Sequence, residues 1–132
     1  MKIIRILLPV LLAAASCKSM KSTSEEPQLE GTHWKLVALN EKSIDLGENA
    51  FVEFKDKKAS GKAGCNSFTS EYESAGKSLS LSKIASTKMF CNDMMDKENQ
   101  IITNLESVKR YEIRYGLLYL YGSNKLLMTY KK

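Results

Sequence analysis

Apolar and polar residues alternate along most of this chain, and that period of two is what most restricts its fold. Near the start of the folded part, Trp34, Leu36 and Ala38 share one face while His33, Lys35 and Val37 share the other. Alternate side chains of a β-strand point to opposite faces, so this pattern predicts strands. Similar short segments, separated by turn residues, follow at residues 50–55, 58–63, 68–72, 79–81, 111–115, 117–121 and 126–130.

One segment breaks this period. Between Asp93 and Val108 the apolar residues recur at spacings of three, four and seven, which predicts an amphipathic helix. Asn92 or Asp93 is its predicted N-cap. The residues expected to pack on the sheet are Ile101, Ile102, Leu105 and Val108. Those expected to face water are Lys97, Asn99, Gln100 and Glu106. One helix among strands predicts an α+β fold, either a small, mainly antiparallel β-barrel or a half-closed sheet, with the helix packed against it.

The first 17 residues have the order of a secretory signal. Two cations, Lys2 and Arg5, precede the apolar run 6–12, and small residues 13–16 precede Cys17. The apolar run is too short to span a bilayer, which needs about 20 residues. A cysteine directly after such a cleavage site resembles the lipobox of bacterial lipoproteins. We therefore expect residues 1–16 to be a lipoprotein signal peptide and Cys17 to carry a fatty acyl anchor such as palmitate.

The next segment, residues 17–28, is small, polar and charged, and we expect it to be the lipidated cysteine followed by a flexible tether. Residues 29–132 then form one domain. The formal charge of +5 falls to +3 without Lys2 and Arg5, and the remaining charges of both signs alternate along the sequence. This mild excess excludes a typical nucleic-acid-binding protein.

Three cysteines are present, and Cys65 and Cys91 remain as a pair if Cys17 is acylated. An oxidising compartment favours a disulfide between them, while two buried free thiols remain the alternative. The single histidine, His33, cannot complete a zinc site with two thiols, because zinc prefers four ligands. We expect no metal and no cofactor.

Two separated motifs resemble those of the META domain family, the HslJ-like bacterial lipoproteins. The first is a Gly-Cys-Asn-x-Phe run followed by a tyrosine, and the second is Thr-x-Met-x-Cys ahead of a helix. The matching residues are Gly64, Cys65, Asn66, Phe68 and Tyr72, then Thr87, Met89 and Cys91. The opening Gly31-Thr32-x-Trp34-x-Leu36 is also similar. Ser70 and Phe90 depart from the residues common in the family.

The resemblance implies a small β-barrel with one helix in an envelope protein, without an established enzymatic activity. The residues agree with this. No catalytic motif is visible, and the alternation along the first strand places His33 on its outer face. We interpret Asn66 as a turn residue and the methionines Met89, Met94 and Met95 as core. The surface around Phe68 and Met89, where the helix meets the strands, is the candidate binding site.

These observations predict a lipid-anchored envelope protein whose META domain is not an enzyme. It would bind or scaffold, with a role in envelope stress or antibiotic tolerance. Its partners would be the membrane, through the lipid on Cys17, and a protein or lipid ligand. The expected location is the outer membrane, facing the periplasm. The alternatives are a carrier of a small apolar ligand or lipid in the barrel, lined by Phe51, Phe68, Leu105 and Met94, and an inhibitor of an envelope-attacking enzyme.

Overall fold

The computed structural model describes residues 28–132, so the predicted signal peptide, Cys17 and most of the predicted tether lie outside the described residues. The described part forms nine strands and one α-helix. The strands are β1 (Thr32–Leu39), β2 (Lys42–Ser43), β3 (Ala50–Lys55), β4 (Lys58–Ala63), β5 (Ser67–Ala75), β6 (Ser78–Ser86), β7 (Arg110–Arg114), β8 (Leu117–Tyr121) and β9 (Leu126–Lys131). The helix α1 (Met95–Ser107) follows β6, and a single 3-10 turn, Gly47–Asn49, precedes β3.

Eight of the strands in the described part form a closed antiparallel barrel. Every strand from β3 to β9 pairs with its neighbour along the chain, and β1 pairs with both β3 and β9. The closing pair places Lys35 of β1 opposite Lys131 of β9. The two-residue strand β2 lies outside this ring and pairs with the end of β1. Of the two predicted architectures, the barrel is therefore correct and the half-closed sheet is not.

The ring is weakest between β6 and β7. These strands share the single residue pair Ser78 and Arg110, because β7 runs on past the first residue of β6. The helix connects the two strands and packs against β6 and β4. Its side chains also reach across one barrel opening, where Asn104 Nδ2 donates to Asn40 Oδ1 at 2.9 Å and to the Leu127 carbonyl at 3.2 Å. The helix thus compensates for the short pairing and covers one end of the barrel.

Antiparallel pairing places successive connections at alternate ends. At the end that the helix covers, called here the helix end, lie residues 40–49, 64–66, 87–108 and 122–125. At the opposite end lie the turns 55–58, 75–78 and 114–117, together with residues 131–132 and the segment 29–31 that enters β1. This second end is called the entry end.

Alternate side chains of the strands fill the barrel, as their period predicts. The largest fully buried side chains include Trp34, Leu36, Phe54, Leu118, Leu120 and Tyr130. Strand β4 approaches β3 so closely that a Cβ at Gly61 would lie 1.9 Å from the Phe51 carbonyl oxygen, so glycine is required there.

The helix is shorter than predicted and begins at Met95, with Met94 as its N-cap and no side-chain capping bond. Asn92 and Asp93 are therefore not the cap, because the chain ahead of the helix is held by other contacts, described below. Ile101, Leu105 and Val108 are buried as expected, whereas Ile102 is half-buried. Within residues 28–132, no helix combines the length and the apolar character needed to cross a bilayer.

Candidate functional site

The first family motif forms the tight turn between β4 and β5 at the helix end. Gly64 has φ +113°, a backbone conformation that residues with a Cβ seldom adopt. Its N–H donates to the Asn49 carbonyl at 2.7 Å, and the Ala63 N–H donates to the Asn66 carbonyl at 3.0 Å. This turn points the side chains of Cys65 and Asn66 toward the loop that precedes the helix.

Asn66 uses its whole side-chain amide to hold that loop. Its Oδ1 accepts hydrogen bonds from the Thr87 hydroxyl at 2.8 Å and from the Met89 N–H at 2.7 Å. Its Nδ2 donates to the Met89 carbonyl and to Glu98 Oε2, both at 3.0 Å. The side chain therefore pairs with both polar groups of the Met89 peptide, much as a neighbouring strand would. An amide with two acceptor and two donor positions has no further capacity for a ligand.

Glu98 connects the same turn to the helix. Its carboxylate lies one turn into α1 and is only 4% exposed. Oε1 accepts the Asn66 backbone N–H at 3.0 Å, while Oε2 accepts from the Asn66 side chain. A buried charge is stable only when it is matched by such donors. Glu98 is therefore a buried contact between helix and barrel.

A disulfide joins the two motifs covalently. The Cα atoms of Cys65 and Cys91 are 6.0 Å apart, within the range for bridged cysteines. The bridge and the Asn66 contacts fix the loop from both sides of Met89 and Phe90. Gly64, Cys65, Asn66, Thr87, Met89 and Cys91 therefore belong to one cluster, called here the motif cluster.

The motif cluster leaves two apolar side chains in solvent. Met89 is 57% exposed and Phe90 is 80% exposed, although the backbone between them is fixed. The prediction that Met89 belongs to the core is therefore wrong, because its peptide, and not its side chain, is what Asn66 binds. Met94 and Met95 are half-buried. An exposed aromatic residue on a fixed loop is the arrangement typical of a contact surface.

The other two motif residues lie away from this cluster. Phe68 is buried in the barrel core, and Tyr72 packs edge-on against Phe54 with ring centroids 5.0 Å apart. The Tyr72 hydroxyl donates to Glu30, which also accepts the N–H groups of Asp56 and Lys57. The hydrogen bond from Tyr72 lowers the pKa of Glu30, and burial followed by the bond to Glu30 raises the pKa of Tyr72.

A cleft of about 1250 Å³ lies beside this pair. Most of the residues that line it carry a charge or a hydroxyl group, among them Lys57, Lys58, Glu71, Ser80, Ser82 and Lys109. A site for a small apolar ligand is normally lined by apolar side chains. The four residues predicted to line such a site do not form one here, since Phe51 lies on the outer face, where it stacks on His33 with centroids 4.9 Å apart.

No metal site is visible in the described part. Residues 28–132 contain no group of three or more histidine, cysteine, aspartate or glutamate side chains placed to hold a metal ion. His33 is exposed on the outside of β1, as expected. The sequence analysis did not identify Glu98 and Asn104 as buried residues. Both fit the spacing of the apolar stripe, since Glu98 lies three residues before Ile101 and Asn104 three residues after it. A polar residue in such a stripe is the signal that could have identified them.

Comparison with solved structures supports the barrel. One structure determined by NMR is 25% identical over 78% of this chain and 90% of its own, with a TM-score of 0.63. An NMR structure of a protein from Burkholderia xenovorans is 21% identical over 78% of this chain and 82% of its own, with a TM-score of 0.64. A crystal structure of a DUF4847 family protein from Bacteroides vulgatus is 14% identical over 78% and 93%, with a TM-score of 0.59. The latter two show the fold alone.

Comparison with curated proteins gives no match. The model of the META domain family matches residues 27–132, nearly all of the chain after the predicted signal and tether. The motif residues predicted from that resemblance also occupy a coherent position, with six of them in the motif cluster. The chain therefore belongs to the META domain family.

Proposed function

We propose that this protein is a lipid-anchored, non-catalytic envelope protein that binds a protein partner through the exposed loop of the motif cluster. The observation that carries the proposal is that the Asn66 side chain is fully hydrogen-bonded within the domain. Each polar position of its amide is already bonded within the domain, and both carboxylate oxygens of Glu98 are bonded to it. General acid–base or nucleophilic chemistry needs a group that can reach a substrate, and these groups serve the fold.

Met89 and Phe90 are what the motif cluster presents to the outside. Because their backbone is fixed by the disulfide and by Asn66, binding would cost little ordering of the loop. Aromatic and thioether side chains are enriched at the centres of protein interfaces. The matching partner is a protein with an apolar pocket that accepts the Phe90 ring. Roles in envelope stress and antibiotic tolerance belong to this proposal as the cellular consequence of such binding.

The anchor is proposed from the order of residues 1–17. The outer membrane is its proposed location, because Lys18 is not the aspartate that typically retains lipoproteins at the inner membrane. In the native host, we expect mass spectrometry of the membrane-extracted protein to find an acylated N-terminal Cys17. Cys17→Ala should release the protein from membranes washed at high salt, since the salt removes electrostatic contacts. Retention of Cys17→Ala on washed membranes would contradict the anchor.

The binding loop is tested by Phe90→Ser. The side chain is exposed, so we expect the free energy of unfolding to change by no more than about 0.5 kcal/mol. We expect any cellular phenotype of the protein to be lost, and His33→Ala, a substitution on the outside of β1, to leave it intact. A phenotype that survives Phe90→Ser but is abolished by His33→Ala, in stable proteins, would contradict the proposal.

A further inference from the structure

Charges of both signs are mixed along the sequence, but the fold places more of the basic residues at one end of the barrel than at the other. The entry-end segments carry seven basic and two acidic residues, whereas the helix-end segments carry four basic and seven acidic ones. The basic residues of the entry end are Lys55, Lys57, Lys58, Lys77, Arg114, Lys131 and Lys132, and its acidic residues are Glu30 and Asp56. The domain therefore has one strongly basic end, which its modest net charge conceals.

Carboxylates offset part of this positive charge. Glu30 interacts electrostatically with Lys57, and Glu71 lies opposite Lys58 on the neighbouring strand. Glu112 lies 4.0 Å from Lys77 and 3.9 Å from Arg114, and its negative charge weakens the positive potential around both. Among the described residues, no carboxylate lies within the 4.0 Å of an ion pair for the other five: Lys55, Lys57, Lys58, Lys131 and Lys132. Five such lysines around one opening create a surface potential that attracts polyanions.

Tyr115 projects from the same end in a conformation that sequence preference does not explain. It is 96% exposed and has φ +52°, followed by Gly116 at +72°, so the β7–β8 turn has positive φ at both central positions. Asparagine or glycine is preferred at the first of these positions, and a bulky residue there is an outlier. The ring gains no packing within the domain that would offset this strain. Strain at an exposed residue points to a contact outside the fold.

The chain also enters the domain at this end. Gln28 lines a small cleft of about 290 Å³ together with Gly76 and Tyr111, beside the β5–β6 turn. Leu29 is buried, and Glu30 is held by Tyr72 and by the N–H groups of Asp56 and Lys57. Eleven residues separate Cys17 from Leu29, so a lipid on Cys17 would keep this end within about 40 Å of the bilayer.

We propose that the entry end is a membrane-facing surface that binds anionic phospholipid headgroups, with Tyr115 at the interface. The orientation rests on the proposed lipid anchor, whereas the affinity rests on the charges and on Tyr115 alone. Lysines near an anionic bilayer each contribute to binding, and tyrosine is enriched at the level of the headgroups. The Met89–Phe90 loop at the opposite end would then face away from the membrane, where a protein partner could reach it.

The test is vesicle binding by the full chain carrying Cys17→Ala, so that no acyl anchor contributes. Residues 1–27 are the same in every sample, and neutral phosphatidylcholine vesicles give the background. The entry-end variant is Lys55→Gln, Lys131→Gln and Lys132→Gln. The matched helix-end control is Lys42→Gln, Lys88→Gln and Lys125→Gln, three exposed lysines whose loss changes the net charge equally.

At 0.1 M salt, we expect binding to vesicles containing phosphatidylglycerol above the neutral background. Each lysine lost from the entry end should lower the partition coefficient roughly fivefold, so the triple variant should lose on the order of 100-fold. The control should change it by less than about threefold, because the helix end lies beyond the Debye length of about 10 Å at 0.1 M salt. Tyr115→Asn should lower it roughly threefold without loss of stability, since Asn-Gly suits the turn.

The proposal would be overturned if the partition coefficient fell equally in the two triple variants, or if the protein did not bind above background. Neither result bears on acylation of Cys17, which mass spectrometry reports separately. Conversely, an unmodified Cys17 with intact vesicle binding would contradict the anchor and leave this surface in place.

Discussion

At the helix end of the barrel, a network of polar side chains is buried and hydrogen-bonded, whereas most lysines at the entry end are exposed and have no ion-pair partner. Asn66 is 2% exposed and bonds at every polar position, and Glu98 accepts from it twice. At the opposite end, Lys131 and Lys132 are exposed and Tyr115 has no packing partner within the domain. Buried networks rigidify a structure, while unpaired charge attracts a partner. The difference indicates that buried hydrogen bonds hold the helix end together, whereas the lysines of the entry end remain exposed to solvent.

The largest effect should come from breaking the covalent link at the helix end. Replacing Cys65 and Cys91 together by alanine removes a bridge over 26 residues, which the chain-entropy model values at about 3 to 4 kcal/mol. Urea unfolding of the double variant measures the loss, with Cys17→Ala as control. Thiol labelling of the denatured, unreduced protein should leave Cys65 and Cys91 unlabelled. Two labelled thiols, or a loss below about 1 kcal/mol, would contradict a structural disulfide.

A smaller loss is expected from the polar link at the same end. Glu98→Ala leaves the buried backbone N–H and one side-chain N–H of Asn66 without an acceptor, which costs about 2 to 3 kcal/mol. Glu106→Ala removes an exposed acid from the same helix and should cost no more than about 0.5 kcal/mol. Similar free energies of unfolding for the two variants, measured in urea, would show that the helix end does not depend on this contact.

At the entry end, the Tyr72–Glu30 hydrogen bond should make a small, pH-dependent contribution. The lowered pKa of Glu30 means that its benefit is present above the ordinary value of 4.5 and is lost as the pH falls through the lowered value. The raised pKa of Tyr72 means that its benefit is present below 10.0 and declines at higher pH. The stability difference between wild type and Tyr72→Phe should therefore be largest between about pH 5 and 10. A difference that grows in acid would contradict this assignment.

Much of the fold could be predicted because its strands follow local patterns. The alternation from Trp34 to Ala38 and from Leu117 to Tyr121 depends on which face is buried, which the sequence records directly. The local patterns alone could not distinguish a closed barrel from a half-closed sheet, because closure depends on β1 meeting β9 some 95 residues later along the chain. The start of the helix was misplaced because the Asn66 contacts and the disulfide, and not a capping residue, fix the chain ahead of Met95.

The site was predictable only in part for a similar reason. The family motifs include Asn66, Met89 and both cysteines, and the structure brings these residues together at the β4–β5 turn. The partner of Asn66 could not be foreseen, since Glu98 comes from a helix 32 residues away. The grouping of lysines at the entry end was equally hidden, because they come from separate turns and from residues 131–132.

The most direct test of the difference between the two ends is hydrogen–deuterium exchange of the lipidated protein on vesicles. Exchange on phosphatidylglycerol-containing vesicles is compared with exchange on neutral ones. Our account predicts added protection of the backbone amides in the entry-end turns 55–58 and 114–117, with residues 88–91 of the Met89–Phe90 loop unchanged. Protection of residues 88–91 instead, or equal protection of both ends, would contradict it.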